Sequence, residues 1–399
     1  MPSGAAVGGR PLPGTTAPPA QAIAGSARPG QPAARERSPG LAEIQPLTGI
    51  RAAAALWVVL FHLREPMADL LPGIWGLLEP VVSGGFLGVD LFFILSGFII
   101  HYNYAARLSA WRPAAIGDFW GNRFARIWPV HAAMLLLVAG LLALQRLRGG
   151  SPTHPELYGA ADFVRNLFMV HAWTMPIRVS WNTPAWSISC EWLAYLAYPL
   201  LAVTLLRGGG RRRAILVAGL AMGGTALVCQ GFDAPASANF GVVRIAGEFL
   251  GGCALCQLFQ TRWLAGWNWK WILPLLGVVG VVLFRWILPA AGGNSYWCVP
   301  VLGAIIYGLA CGGSPIAAFF SRRTLLFGGH ISYSLYMVHQ VCLIALQGWP
   351  TRFGLLGLAA ELLVMLVAAA LLHLFLEEPC RKGLRKLLIP RKVSRVGAA

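Results

Sequence analysis

Of 399 residues, 57% are hydrophobic and only 12% are charged, and the mean hydropathy is +0.62. This excludes an ordinary soluble domain and points to a chain that crosses a membrane several times. A formal net charge of +17 would suit a nucleic-acid binder, but the basic residues sit in short clusters between long apolar runs, the pattern of positive-inside loops.

Residues 1–43 are rich in Pro, Ala, Gly and Arg and hold no continuous apolar run. They are expected to form a disordered cytoplasmic tail and not a cleaved signal peptide, so that the first apolar segment acts as the signal. Measured against the roughly 20 residues a helix needs to span a bilayer, ten apolar stretches qualify, near 46–64, 84–103, 127–145, 185–206, 214–230, 240–260, 271–289, 297–312, 327–347 and 354–376. The expected fold class is all-α, a polytopic integral membrane protein with about ten transmembrane helices. The membrane domain is placed at 44–380 and a basic cytoplasmic tail at 381–399. The longest connection, 146–184, holds a Phe163–Trp173 stretch suited to lie along the interface.

Orientation follows from the loops. With the N-terminus inside, the inside loops carry roughly 24 of the 32 Lys and Arg residues. Both termini are therefore expected in the cytoplasm.

The first segment reads RAAAALWVVLFH, Arg51 to His62. At helical rise His62 lies about 16 Å from Arg51, near the middle of a hydrocarbon layer about 30 Å thick. In the second segment, GGFLGVDLFFILSGFIIHY, Asp90 falls about 9 Å from the outer edge; Glu191 of TPAWSISCEWLAYLAYPLL falls at a similar depth, and His339 of HISYSLYMVHQ lies about 18 Å from the inner edge. Ionisable residues at mid-membrane are costly and normally face a partner or a cavity. Four of them at neighbouring depths predict a shared polar cavity. The alternative is that each serves only to hold helices together.

Ahead of the third segment, FWGNRFARIWPVH sets Arg123 and Arg126 three residues apart, on one helical face, with Trp120 and Trp128 beside them. Paired guanidinium forks suit phosphate, although a positive-inside anchor has the same look. Cysteines are scattered through apolar segments. The single Cys253-x-x-Cys256 pair has no companion pair of Cys or His to complete a zinc site, so buried free thiols and no metal are expected.

These motifs resemble the membrane-bound acyltransferase-3 family, acyl-CoA-dependent O-acyltransferases. The resemblance rests on the Arg, ten residues, His arrangement of Arg51 and His62, on GGFLGVDLFFILSGFII, Arg123-x-x-Arg126, TPAWSISCEW and ISYSLYMVH, and on Glu378-Pro379 after the last segment. It runs from about residue 43 to 385 in the family's order. It implies ten or so transmembrane helices in a bacterial plasma membrane. It also implies transfer of an acetyl or other short acyl group from cytoplasmic acyl-CoA to a hydroxyl of an exopolysaccharide, lipopolysaccharide or lipid-linked glycan, or else of a macrolide or other small molecule. His62 matches the family's essential histidine, and Arg51, Arg123 and Arg126 its essential arginines. Two departures stand out: Cys190 replaces a usual aliphatic residue and His330 a usual Arg or Lys. Only a short basic stretch follows the last segment, so transfer is expected to finish within the membrane domain or with a separate partner.

Acyl transfer needs a base, oxyanion donors and a grip on CoA. The expectation is that Arg51, Arg123 and Arg126 hold CoA phosphates while the pantetheine arm covers the distance to His62, the general base. Asp90 or Glu191 would orient the imidazole, Glu191 being favoured by its polar neighbours Thr183, Trp186, Ser187 and Ser189. Ser96, Tyr333, Trp186 and His339 are candidate oxyanion donors or substrate contacts, and a covalent acyl step stays open. The competing class is a transporter or flippase without chemistry of its own, which would predict two related halves with paired broken helices. No such symmetry is present in the sequence.

Overall fold

A computed structural model describes residues 42–389 apart from 153, 178, 209, 232–239, 265 and 283–294. The expected N-terminal tail through residue 41, the end of the 271–289 segment and the last ten residues of the basic tail lie outside the described residues. Among the described residues the secondary structure is entirely helical.

Over the described residues each of the ten apolar segments lies on a helix. They are α1 (Gln45–His62), α4 (Leu87–Tyr104), α5 (Pro113–Leu147), α7 (Ala185–Val203), α8 (Arg211–Gly231), α9 (Gly241–Gln260), α10 (Trp269–Val282), α11 (Cys298–Cys311), α13 (Arg323–Ala345) and α14 (Trp349–Leu372). Short helices fill the connections: α2 (Arg64–Leu70), α3 (Pro72–Val82), α6 (Ala160–Leu167), α12 (Pro315–Phe320) and α15 (Glu378–Leu388). Among the described residues, by length and composition, five helical stretches can cross a membrane, or six when α1 and α2 count as one span bent by 66°. The remaining four segments lie on α7, α10, α11 and α13. The first and last carry polar residues that lower their hydropathy, and the middle two have only 14 residues each.

Apolarity is turned outward. Leu136 of α5, Leu216 of α8 and Leu356 of α14 are 61%, 59% and 80% exposed, while Asp90, Glu248 and His339 have no exposure at all. A water-soluble protein would bury the first set and not the second; a lipid solvent reverses the preference.

Two close approaches set the positions of the site helices. Gly329 of α13 lies against the carbonyl of Thr48 on α1, where a Cβ would collide, so the helices carrying His339 and His62 run side by side. Gly97 of α4 and Gly252 of α9 likewise meet the backbone at Phe249 and Ile94, which locks those two helices together. Small residues at such crossings let helices pack in lipid, where burial of apolar surface adds little.

Two further elements accompany these helices. The Phe163–Trp173 stretch begins within the short amphipathic α6 and ends in turns. The basic tail starts as a helix, α15, whose Leu388 lies beside Gly121 of α5. Between α14 and α15 one wide π turn, His373–Glu377, alters the helical register and directs Glu377 inward.

Candidate active site

Arg51, Arg123 and Arg126 converge on one narrow cavity of about 120 Å³, although they come from two helices 72 positions apart in sequence at the first two. Ser96 and Phe92 of α4, Ser187, Glu191 and Tyr195 of α7, and Tyr333 and Tyr336 of α13 complete its walls. The three arginines, Glu191, Ser96 and Tyr333, all singled out from sequence, thus share one space.

Glu191 is held by two hydroxyls: Ser96 donates to it at 2.6 Å and Tyr195 at 2.5 Å. Arg123 donates to the Tyr104 hydroxyl at 3.3 Å and lies over the Tyr104 and Tyr195 rings. Arg126 stacks on Tyr333, 5.6 Å from the ring centre, and forms an ion pair with Glu377. The π turn makes that pair possible, and Ser334 steadies it by donating to Glu377 at 2.7 Å. Arg126 is therefore charge-compensated by its own protein. Arg51 and Arg123 remain as the freer cations of the expected clamp, with Glu191 moderating their field. Glu377 was hidden in sequence, because nothing marked its side chain as turning inward.

Phe92 and Tyr336 of the cavity wall meet edge-on, with ring centres 6.2 Å apart. His339 lies on the other side of Tyr336, ring centres 5.7 Å apart, and His62 faces His339 at 4.9 Å. His62 Nδ1 bonds the Val58 carbonyl at 2.8 Å, and His339 Nδ1 bonds the Tyr336 carbonyl at 2.6 Å. A carbonyl only accepts, so both rings carry their proton on Nδ1 and present a basic Nε2. The Nε2 of His339 is buried without a partner.

The carboxylate partner expected for His62 is absent among the described hydrogen bonds. Glu191 is bound to Ser96 and Tyr195 on the arginine side. Asp90 is committed elsewhere: Arg244 Nε and Nη2 grip its two oxygens at 2.9 and 2.7 Å, with both side chains buried. The imidazole of His62 is oriented by its own backbone instead. The single polar cavity expected for the four mid-membrane groups is thus replaced by three separate sites: the histidine pair, Glu191 with the arginines, and Asp90 with Arg244.

Arg244 and the fully buried Glu248, one turn later on α9, were missed. A lone guanidinium in the apolar 240–260 segment was the available signal, since a buried cation needs an anion at matching depth. Trp186 forms the floor of this pair, 5.3 Å from the Arg244 guanidinium, and meets Phe93 edge-on. Its position is beside the ion pair and outside the cavity wall.

Tyr333 donates its hydroxyl to the Ile127 carbonyl, which occupies it and counts against a role as oxyanion donor. The Ser96 hydroxyl is likewise turned to Glu191. His330 is half exposed, 3.5 Å from Glu43. Cys190 is buried against the Ala172 carbonyl, and Cys253 and Cys256 are buried free thiols. Among the described residues no group of three or more His, Cys, Asp or Glu could hold a metal ion.

Residues 45–376 match the family defined by an acyltransferase domain, Acyl_transf_3. The chain is 29% identical to Acyltransferase MdmB of Streptomyces mycarofaciens, over 86% of this chain and 93% of that protein. It is 25% identical to the Peptidoglycan O-acetyltransferase OatA of Listeria monocytogenes, over 84% of this chain and 56% of that protein. It is also 25% identical to the O-acetyltransferase OatA of Staphylococcus aureus, over 87% and 59%. The chain thus spans little more than half the length of these OatA proteins. No solved structure matches it. With a matched domain that covers most of its length and carries the cavity and both histidines, the chain belongs to the acyltransferase-3 family and is an O-acyltransferase.

Proposed function

We propose that the protein transfers an acetyl or other short acyl group from cytoplasmic acyl-CoA to a sugar hydroxyl of an exopolysaccharide, lipopolysaccharide or lipid-linked glycan, with His62 as general base. The observation that carries this reading is the convergence of Arg51, Arg123 and Arg126 on one cavity, with a facing imidazole pair packed behind its Tyr336 wall. About ten spans, both termini in the cytoplasm and residence in the bacterial plasma membrane complete the reading, supported by the loop charges.

The cavity is the passage of the pantetheine arm in this reading. Arg51 and Arg123 then receive phosphates, and the acyl thioester advances toward Phe92 and Tyr336. Movement of that aromatic pair admits it to the histidines. His62 Nε2 removes the proton of the acceptor hydroxyl as its oxygen attacks the thioester carbon. Asp90 and Arg244 hold α4 to α9 and take no part in the proton transfer.

A glycan acceptor is favoured by the Listeria relative, a peptidoglycan O-acetyltransferase. The test is incubation of membranes carrying the protein with acetyl-labelled acetyl-CoA, followed by mass spectrometry of surface glycans. Label in a sugar ester, lost in His62→Ala at equal protein level, supports the reading. Full labelling by His62→Ala overturns it.

A further inference from the structure

The geometry points to His339 as a second proton carrier, which relays the proton taken up by His62 to the sulfur of the leaving CoA. This rests on the reading of His62 as general base and extends it.

The two rings face each other at 4.9 Å, and both Nδ1 atoms are tied to backbone carbonyls of their own helices. Only the two Nε2 atoms are left to exchange protons. The Nε2 of His339 is buried and unpartnered, a cost that a buried polar atom normally avoids. His339 is also the ring adjoining the cavity wall, through Tyr336 at 5.7 Å, whereas His62 is partly exposed. His339 thus adjoins the donor side, and His62 is the more accessible ring.

The acceptor O–H bond breaks as the C–O bond forms, and its proton goes to His62 Nε2. The C–S bond breaks as the tetrahedral intermediate collapses, which leaves a CoA thiolate. The proton passes from His62 Nε2 to His339 Nε2 and then to sulfur, so the S–H bond forms and both rings return to neutrality. No other reactant is required. Two rings divide the two proton transfers.

The experiment compares His339→Gln with the parent in membranes, using acetyl-CoA and the thioacetate of 4-nitrothiophenol, whose thiolate leaves without protonation. With acetyl-CoA, His339→Gln should lose about 10²- to 10⁴-fold in kcat at nearly unchanged KM. With the nitrothiophenyl donor it should fall within about threefold of the parent, as expected once the acid is dispensable. An equal loss with both donors, or none with acetyl-CoA, overturns the relay. Where the parent does not use the small donor, a proton inventory in mixed H2O and D2O decides with acetyl-CoA. A curved inventory that becomes linear in His339→Gln supports the relay, and a linear parent inventory overturns it. His62→Gln should fail with both donors; full activity in that variant removes the general-base reading itself, whatever His339 does.

Discussion

His62 and His339 face each other with ring centres 4.9 Å apart, and each holds its Nδ1 against a backbone carbonyl of its own helix. The consequence is a pair of imidazoles with fixed tautomers and no carboxylate hydrogen-bond partner among the described residues. Replacement of His62 by Ala should lower acyl transfer by about 10²- to 10⁴-fold, the usual contribution of a positioned base. Membrane content of the protein, read by immunoblot, should stay at the parent level, and transfer of label from acetyl-CoA reports the activity.

The arginines of the cavity make a separable prediction. Arg51→Ala or Arg123→Ala should raise KM for acetyl-CoA by about 10- to 100-fold, since a charged hydrogen bond contributes about 1.5–3 kcal/mol. The same variants should use S-acetylpantetheine, which lacks the nucleotide phosphates, almost as well as the parent. Steady-state kinetics with the two donors checks this, and an equal loss with both would place the arginines elsewhere in the reaction.

Glu191 offers a prediction with a definite sign. Its carboxylate lies in the cavity with Arg51 and Arg123 and is not hydrogen-bonded to His62. Glu191→Gln keeps an acceptor for Ser96 and Tyr195 but removes a negative charge from the path of an anionic donor, so KM for acetyl-CoA should fall or stay constant. A loss approaching 10⁴ in kcat, the cost of removing a carboxylate that orients a catalytic imidazole, would show that the carboxylate supports the base during turnover.

The Asp90–Arg244 pair is fully buried. Removal of one partner strands a charge in a low-dielectric interior and costs about 3–5 kcal/mol, whereas replacement of both by apolar residues is nearly neutral. Asp90→Leu and Arg244→Met should each lower the melting temperature in detergent sharply, and the double variant should recover it. Restored acyl transfer in the double variant would separate a structural role from a chemical one.

Helices were legible in the sequence because each long apolar run is itself a local signal: over the described residues each of the ten expected segments lies on a helix, and Gly354, with a φ of +58°, breaks α14 where the last segment was expected to begin. The arginine cavity was legible through motif spacing, since Arg123 and Arg126 share a helical face whatever the neighbours do. Pairings were not. Depth along a helix follows from residue number, but rotation about its axis and the order of neighbours do not, so Asp90 could be placed near the level of His62 while facing Arg244. The average hydropathy of the 240–260 segment concealed that guanidinium, and the inward turn of Glu377 depends on a local change of helical pitch.

Helix α1 carries both Arg51 and His62, and its geometry makes it a gauge. Eleven residues at 3.6 per turn bring the helix round about three times, so the two side chains return to nearly the same side of the rod. Deleting one residue between them would shorten the gauge by only about 1.5 Å but swing one end away from the other by about 100°. Evolutionary insertions and deletions should therefore be confined to the loops on either side of the helix.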